Sequence, residues 1–94
     1  MIVSDEPGIY VEDSFGIRLE NALVVVEKSE YDNPLFGFES LTMVPFDKEA
    51  IVTEDLDTYE RGLLNSYHAK VYDVMGELVS KEDSKWLKEA CSPI

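Results

Sequence analysis

Soft metal ligands and nucleophiles are scarce in this chain: one cysteine, Cys91, and one histidine, His68, among 94 residues. A lone cysteine cannot form an internal disulfide, which fits a reducing compartment and makes the cytoplasm the expected location. Without a nearby base, Cys91 reads as a small buried or half-buried apolar residue, not as a thiol nucleophile. His68 has no second histidine, cysteine or carboxylate three or four residues away, so nothing local completes a site around it. Basic residues are few as well. Eight Lys and Arg stand against 20 Asp and Glu, a net charge of −12. That balance excludes nucleic acid and anionic membrane as partners and leaves metal cations and basic surfaces. There is no glycine-rich phosphate loop, no Cys-x-x-Cys and no internal repeat. Met1-Ile-Val-Ser-Asp lacks the basic start and long apolar core of a leader, and no transmembrane run follows.

What is present suits one small domain. The hydrophobic share of 45% is ordinary for a globular chain, and a core this small is only marginally stable. The most informative stretch runs from Ser4 to Asn21. Ile9, Val11, Ile17 and Leu19 alternate with Tyr10, Glu12, Arg18 and Glu20, the periodicity of two strands. Glu12, Asp13 and Ser14 form the turn, so facing residues should sum to 26 about Asp13. Glu6 then lies opposite Glu20, Gly8 opposite Arg18, and Tyr10 opposite Gly16. Side chains alternate faces with a period of two. Glu6, Tyr10, Arg18 and Glu20 share one face and the aliphatic four share the other. Like charges directly opposite on a sheet are destabilising. Such a pair needs a cation between the glutamates or must leave both in water. Paired carboxylates suit manganese, magnesium or calcium, and can also hold zinc or cobalt.

Beyond the hairpin, the second strand should run on through Ala22, Leu23, Val24, Val25 and Val26, an apolar run typical of a strand buried on both faces. Glu27 to Pro34 reads as a loop. Leu35 to Phe46 reads as the next strand or strand pair. Gly37 marks a bulge or a close backbone approach there, and the phenylalanines supply core or a dimer contact. Lys48 to Val52 could add a short strand. Near Asp57 the period changes. Asp57-Thr58-Tyr59-Glu60 has the form of a capping box and predicts a helix over residues 58–79. Leu64, Tyr67, Val71, Val74, Met75 and Leu78 would form its buried face, leaving Lys70 and Tyr72 on the surface. His68 falls among polar neighbours on this helix. Ser80 caps a second helix from Lys81 to about Cys91, with Trp86, Leu87 and Ala90 as its buried stripe and Pro93 as its stop. The fold class is α+β: three to five antiparallel strands between Ile2 and Val52, then two helices.

Asp-Glu-Pro-Gly-Ile-Tyr followed by Gly-Ile-Arg-Leu-Glu-Asn resembles the last two metal-ligand motifs of the pita-bread metallopeptidases, in the Xaa-Pro aminopeptidase branch. The resemblance continues through Ser40-Leu41-Thr42-Met43-Val44-Pro45-Phe46. It reaches Trp86-Leu87-Lys88 and Ser92-Pro93-Ile94, which resemble the ending of the longer, three-domain cytosolic enzymes. It implies that Glu6 and Glu20 are two of five ligands to a dinuclear centre of divalent ions, with manganese the usual preference. Glu6 would also act as general base, and Tyr10 and Arg18 would orient the ligand carboxylates. The implied activity is release of the N-terminal residue from peptides with proline in second position. The remaining ligands, two aspartates and a histidine, would lie upstream of this segment. The 94 residues thus resemble the carboxy-terminal piece of a larger enzyme and are expected to be inactive alone. On this reading residues 1–52 close the catalytic domain and 53–94 form a helical extension, with a homodimer as the expected assembly. The alternatives are a non-catalytic pita-bread-like binding module and a free-standing acidic protein-interaction domain. Four matched site residues speak against the first, since a binding module has no need of metal ligands.

Overall fold

The computed structural model describes residues 1–28 and 35–94. The predicted loop from Glu27 to Pro34 therefore falls, from Ser29 onward, outside the described residues. The chain forms two compact units, Met1–Thr42 and Met43–Ile94.

The first unit is all antiparallel strand: β1 (Ile2–Asp5), β2 (Gly8–Val11), β3 (Phe15–Arg18), β4 (Asn21–Glu27) and β5 (Phe36–Ser40). Strands β2 and β3 form the predicted hairpin, with Gly8 opposite Arg18, Ile9 opposite Ile17, Tyr10 opposite Gly16 and Val11 opposite Phe15. Ser14 closes the turn by donating its N–H to the Val11 carbonyl at 3.1 Å. Asp13 sits in the left-handed region, with φ of 56°. A short polar side chain tolerates that conformation better than most.

A second sheet runs in the order β1-β4-β5. The expected continuous second strand is instead two strands, interrupted at Leu19–Glu20, and the pieces pair with different partners. The register nonetheless carries through the break. Asp5 faces Asn21, Ser4 faces Ala22, Val3 faces Leu23 and Ile2 faces Val24. These pairs share the hairpin's sum of 26. The apolar run of β4 is half-buried and not covered on both faces, because a three-stranded sheet leaves much of its surface open. Gly37 makes no bulge. It pairs regularly with Val26, and what lies nearest its open side is the flexible Lys28 side chain and not a backbone. Only Phe36–Ser40 of the expected strand pair is strand. Phe36 and Phe38 stand exposed within this chain.

The second unit begins with an irregular stretch and two short 3₁₀ turns, Lys48–Ala50 and Thr53–Asp55. The strand expected over Lys48 to Val52 does not form. Asp47 accepts the Glu49 N–H at 3.0 Å and caps a turn there instead. Helix α1 spans Thr58–Met75 and α2 spans Lys81–Ala90. Both predicted caps are present: Asp57 Oδ1 accepts from the Glu60 N–H at 2.7 Å, and Ser80 Oγ from the Asp83 N–H at 3.1 Å. Helix α1 ends short of Val79, at Gly76, where a Cβ would lie 2.7 Å from the Tyr72 carbonyl oxygen. The core of this unit is Val71, Leu87 and Cys91, with Met43, Tyr67, Tyr72 and Met75 packed against it. Tyr72 is thus a core neighbour and not a surface residue. Trp86 was expected inside and is 65% exposed. Leu87 takes the inward position, and adjacent helical residues point about 100° apart. Val74 and Leu78 are likewise exposed.

His68 is fully buried, in contrast to its polar sequence setting. Its Nε2 accepts the Phe46 N–H at 3.0 Å, and its ring lies beside those of Phe46 and Tyr67. Burial and the nearby Lys48 charge hold its pKa below the ordinary histidine value. Neutral His68 is therefore the acceptor at Nε2 and carries its proton on Nδ1, which has no partner among the described residues. Burial pushes the Cys91 thiol up, away from thiolate character. Lys48 reaches the end of α2, where Nζ donates to the Glu89 carbonyl at 2.8 Å and to Ser92 Oγ at 2.6 Å. Asn65 holds the last residue through both ends of its amide, accepting from the Ile94 N–H at 3.0 Å. Among the described residues no helix is long and apolar enough to cross a membrane.

Candidate functional site

Glu6, Tyr10, Arg18 and Glu20 all lie in the first unit, on or beside the β2–β3 hairpin. Glu6 and Glu20 occupy the break between the two sheets. On one side of them the Leu19 N–H donates to the Pro7 carbonyl at 3.0 Å. On the other, Asp5 faces Asn21. One register on both flanks sets Glu6 opposite Glu20, the position at which antiparallel strands bring side chains together.

Arg18 sits one alternation from Glu20, on the same face. Its guanidinium meets Glu20 at 3.1 Å, with both side chains about half exposed. An ion pair this open to water contributes well under 1 kcal/mol to stability. Its effect is to orient the Glu20 carboxylate. Glu6 is met separately, where Oε2 accepts from the Ser4 hydroxyl at 3.0 Å.

Tyr10 lies flat along the same face. A Cβ on Gly8 would sit 2.7 Å from the Tyr10 hydroxyl, and one on Gly16 would sit 2.9 Å from the ring. The two glycines leave a strip over which the ring reaches from its own position toward that of Arg18. Gly8 is Arg18's cross-strand partner, so the phenol is carried toward the Arg18–Glu20 pair. Sequence alternation placed Tyr10 on this face, but the need for two bare neighbours emerges only from the packed ring.

The donor set is two carboxylates, hard oxygen ligands suited to a divalent cation. Among the described residues no group of three or more His, Cys, Asp or Glu could hold a metal ion. The chain therefore fits part of a metal site and not a complete one.

The residues that sequence reasoning missed are those behind the break. Thr42 Oγ1 accepts the Ala22 N–H at 2.8 Å, and the Ala22 carbonyl accepts from the Leu41 N–H at 2.8 Å. Ser40 Oγ donates to the Thr42 carbonyl at 3.0 Å and accepts from the Asn21 amide at 3.4 Å. Ser-Leu-Thr appeared in the resemblance, but nothing in the pattern tied it to Ala22.

Comparison with known proteins extends this picture. The family described as the C-terminal region of peptidase_M24 matches residues 34–94. A probable Xaa-Pro aminopeptidase P from Tuber melanosporum is 45% identical, over 100% of this chain and 16% of its own length. Aminopeptidase P1 from Arabidopsis thaliana is 38% identical, over 100% of this chain and 15% of its length. The solved X-prolyl aminopeptidase of Caenorhabditis elegans, described as a cytosolic enzyme with a di-nuclear active site, matches with a TM-score of 0.86 and 36% identity. That match covers 99% of this chain and 16% of the worm enzyme. The chain thus spans about a sixth of the length of the relatives it matches. The α+β arrangement expected from the resemblance, pita-bread strands followed by two helices, is the one the chain adopts. With well over half of its residues inside the family match, the chain belongs to the peptidase_M24 family, as a C-terminal region.

Proposed function

We propose that the chain is the carboxy-terminal segment of a cytoplasmic Xaa-Pro aminopeptidase, a metallopeptidase that releases the N-terminal residue from peptides with proline second. The observation that supports this most is the continuous register that sets Glu6 opposite Glu20. Glu6 and Glu20 would hold part of a centre of two divalent ions, manganese by preference of oxygen-rich ligands. Such ions, when bound, lower the pKa of a water and polarise the scissile carbonyl. Glu6 would also serve as general base, accepting a proton from the attacking water on a carboxylate oxygen. Glu20 would be the second carboxylate ligand, with Arg18, which meets its Oε2 at 3.1 Å, holding its orientation. Tyr10 brings a phenol toward the same pair and is available to donate a hydrogen bond during the reaction. The whole enzyme is proposed to be a homodimer, which the exposed apolar residues of the first unit favour.

The segment alone should be inactive, because two carboxylates cannot hold the centre and the substrate-binding groups lie elsewhere. The test is a chimera in which this chain replaces the matching sixth of the Arabidopsis relative. The chimera should cleave an Xaa-Pro peptide with added manganese, and Glu6→Gln or Glu20→Gln should abolish turnover. A Glu20→Gln chimera as active as its parent would overturn the proposal.

A further inference from the structure

The position of Glu20 is not set by strand pairing of its own. Leu19 and Glu20 fall between β3 and β4, so the carboxylate is aimed by whatever fixes the two flanks. The Leu19–Pro7 hydrogen bond fixes one. The other flank, Asn21–Ala22, is held from β5 and the two residues after it.

That second hold is unusually complete. β4 and β5 pair regularly from Glu27–Phe36 to Leu23–Ser40. Where β5 ends, the ladder on that side would leave the Ala22 N–H without a strand carbonyl. Thr42 Oγ1 takes the Ala22 N–H at 2.8 Å in place of a strand carbonyl, while the Ala22 carbonyl receives the Leu41 N–H at 2.8 Å and the Thr42 N–H at 3.4 Å. Ser40 Oγ locks the turn by donating to the Thr42 carbonyl, and also receives the Asn21 amide. Asn21 Oδ1 is buried without a partner among the described residues. Among the described residues the amide is thus held from one end only, through its N–H to Ser40 Oγ.

We propose that Thr42, with Ser40, is a positioning element for the metal-binding Glu20: its hydroxyl fixes the backbone two residues beyond the carboxylate. The inference rests on the reading of Glu20 as a metal ligand. Thr42 touches no reacting atom and acts only through the start of β4. Groups hydrogen-bonded directly to a metal ligand change metal affinity by about 10–100-fold when removed; Thr42 acts one step further out, through the Ala22 backbone, so its loss should fall at the lower end of that range.

The experiment is a manganese titration of the ¹⁵N-labelled chain, reading paramagnetic broadening of the Glu6, Glu20 and Asn21 amides, with unfolding midpoints measured alongside. Thr42→Val keeps the side-chain shape and removes the acceptor. It should weaken the manganese dependence of broadening at Glu20 about tenfold, and Thr42→Ser should restore it. Ser40→Ala should act in the same direction and carries the test if Thr42→Val does not fold. A purely structural role would lower the unfolding midpoint and leave manganese affinity of the folded chain unchanged. That result, with Glu20→Gln abolishing the effect, overturns the positioning role alone. Broadening at Glu20 that survives Glu20→Gln overturns the ligand reading itself.

Discussion

Phe46 donates its backbone N–H to Nε2 of His68 at 3.0 Å, and the imidazole that receives it is fully buried. Protonation would place a second N–H where the acceptor lone pair stands and would add a charge beside Lys48. The unfolded chain binds that proton near the ordinary histidine value of 6.5, while the folded chain resists it. Stability is therefore fully present above about pH 6.5 and falls as the pH drops toward the lowered folded-state value. Thermal unfolding between pH 5 and 8 should show this slope, and His68→Gln should flatten it. Because His68 is the chain's sole histidine, its ring signals in proton NMR report the same equilibrium directly. A titration at or above the ordinary value would contradict the buried acceptor.

Trp86 and Leu87 are neighbours in sequence with opposite surroundings, 65% and 6% exposed. Leu87→Ala should cost about 2–5 kcal/mol, as large-to-small changes in packed cores do. Trp86→Ala should cost well under 1 kcal/mol, in line with exposed substitutions. Chemical denaturation of the two variants checks the ordering, and a larger loss at Trp86 would place the core on the wrong face of α2.

Two caps are predicted to contribute to stability. Asp57→Ala and Ser80→Ala each remove the acceptor for a backbone N–H at a helix start. Ser80→Ala should lower stability by about 1 kcal/mol, and Asp57→Ala should lower it too. Backbone hydrogen bonding from Glu60 lowers the Asp57 pKa, so the Asp57 contribution should fade as the pH falls below the ordinary aspartate range. Glu60 is shifted upward by the same neighbour, which opposes that fade. Denaturation of Asp57→Ala at pH 7 and pH 3 should show a smaller deficit at the lower pH.

These elements also show what a sequence makes legible. The hairpin centre at Asp13 followed from strict alternation on both sides of a polar triplet, and the caps followed from Asp and Ser standing three residues before an acidic partner. Both are local patterns, and local hydrogen bonds satisfy them. The misread elements answer to distant partners. His68 looked polar because Asn65, Ser66 and Lys70 lie around it in the sequence, while its actual partner is 22 residues away. The 3₁₀ turn at Lys48–Ala50 replaced a strand because Asp47 caps locally and Lys48 is drawn to the end of α2. At the candidate site, Glu6, Tyr10, Arg18 and Glu20 could be placed on one face from the register. Thr42 and Ser40 could not, since an unpaired Ala22 N–H is visible only once β5 has ended.

Self-association provides a further check. Ile9, Phe15, Ile17 and Leu19 on the hairpin are each more than half exposed, and apolar surface on this scale tends to find a partner. Light scattering across rising protein concentration should show a dimer or larger species. A constant monomer mass up to millimolar protein would count against it.

The central claim is that Glu6 and Glu20 are metal ligands, and manganese titration calorimetry tests it most directly. The chain would be compared with Glu6→Gln, Glu20→Gln and, as a control for an acidic surface, Glu77→Gln. The account predicts weak binding that falls in the first two variants and is unchanged in the third. Equal manganese binding by all four proteins would contradict the assignment.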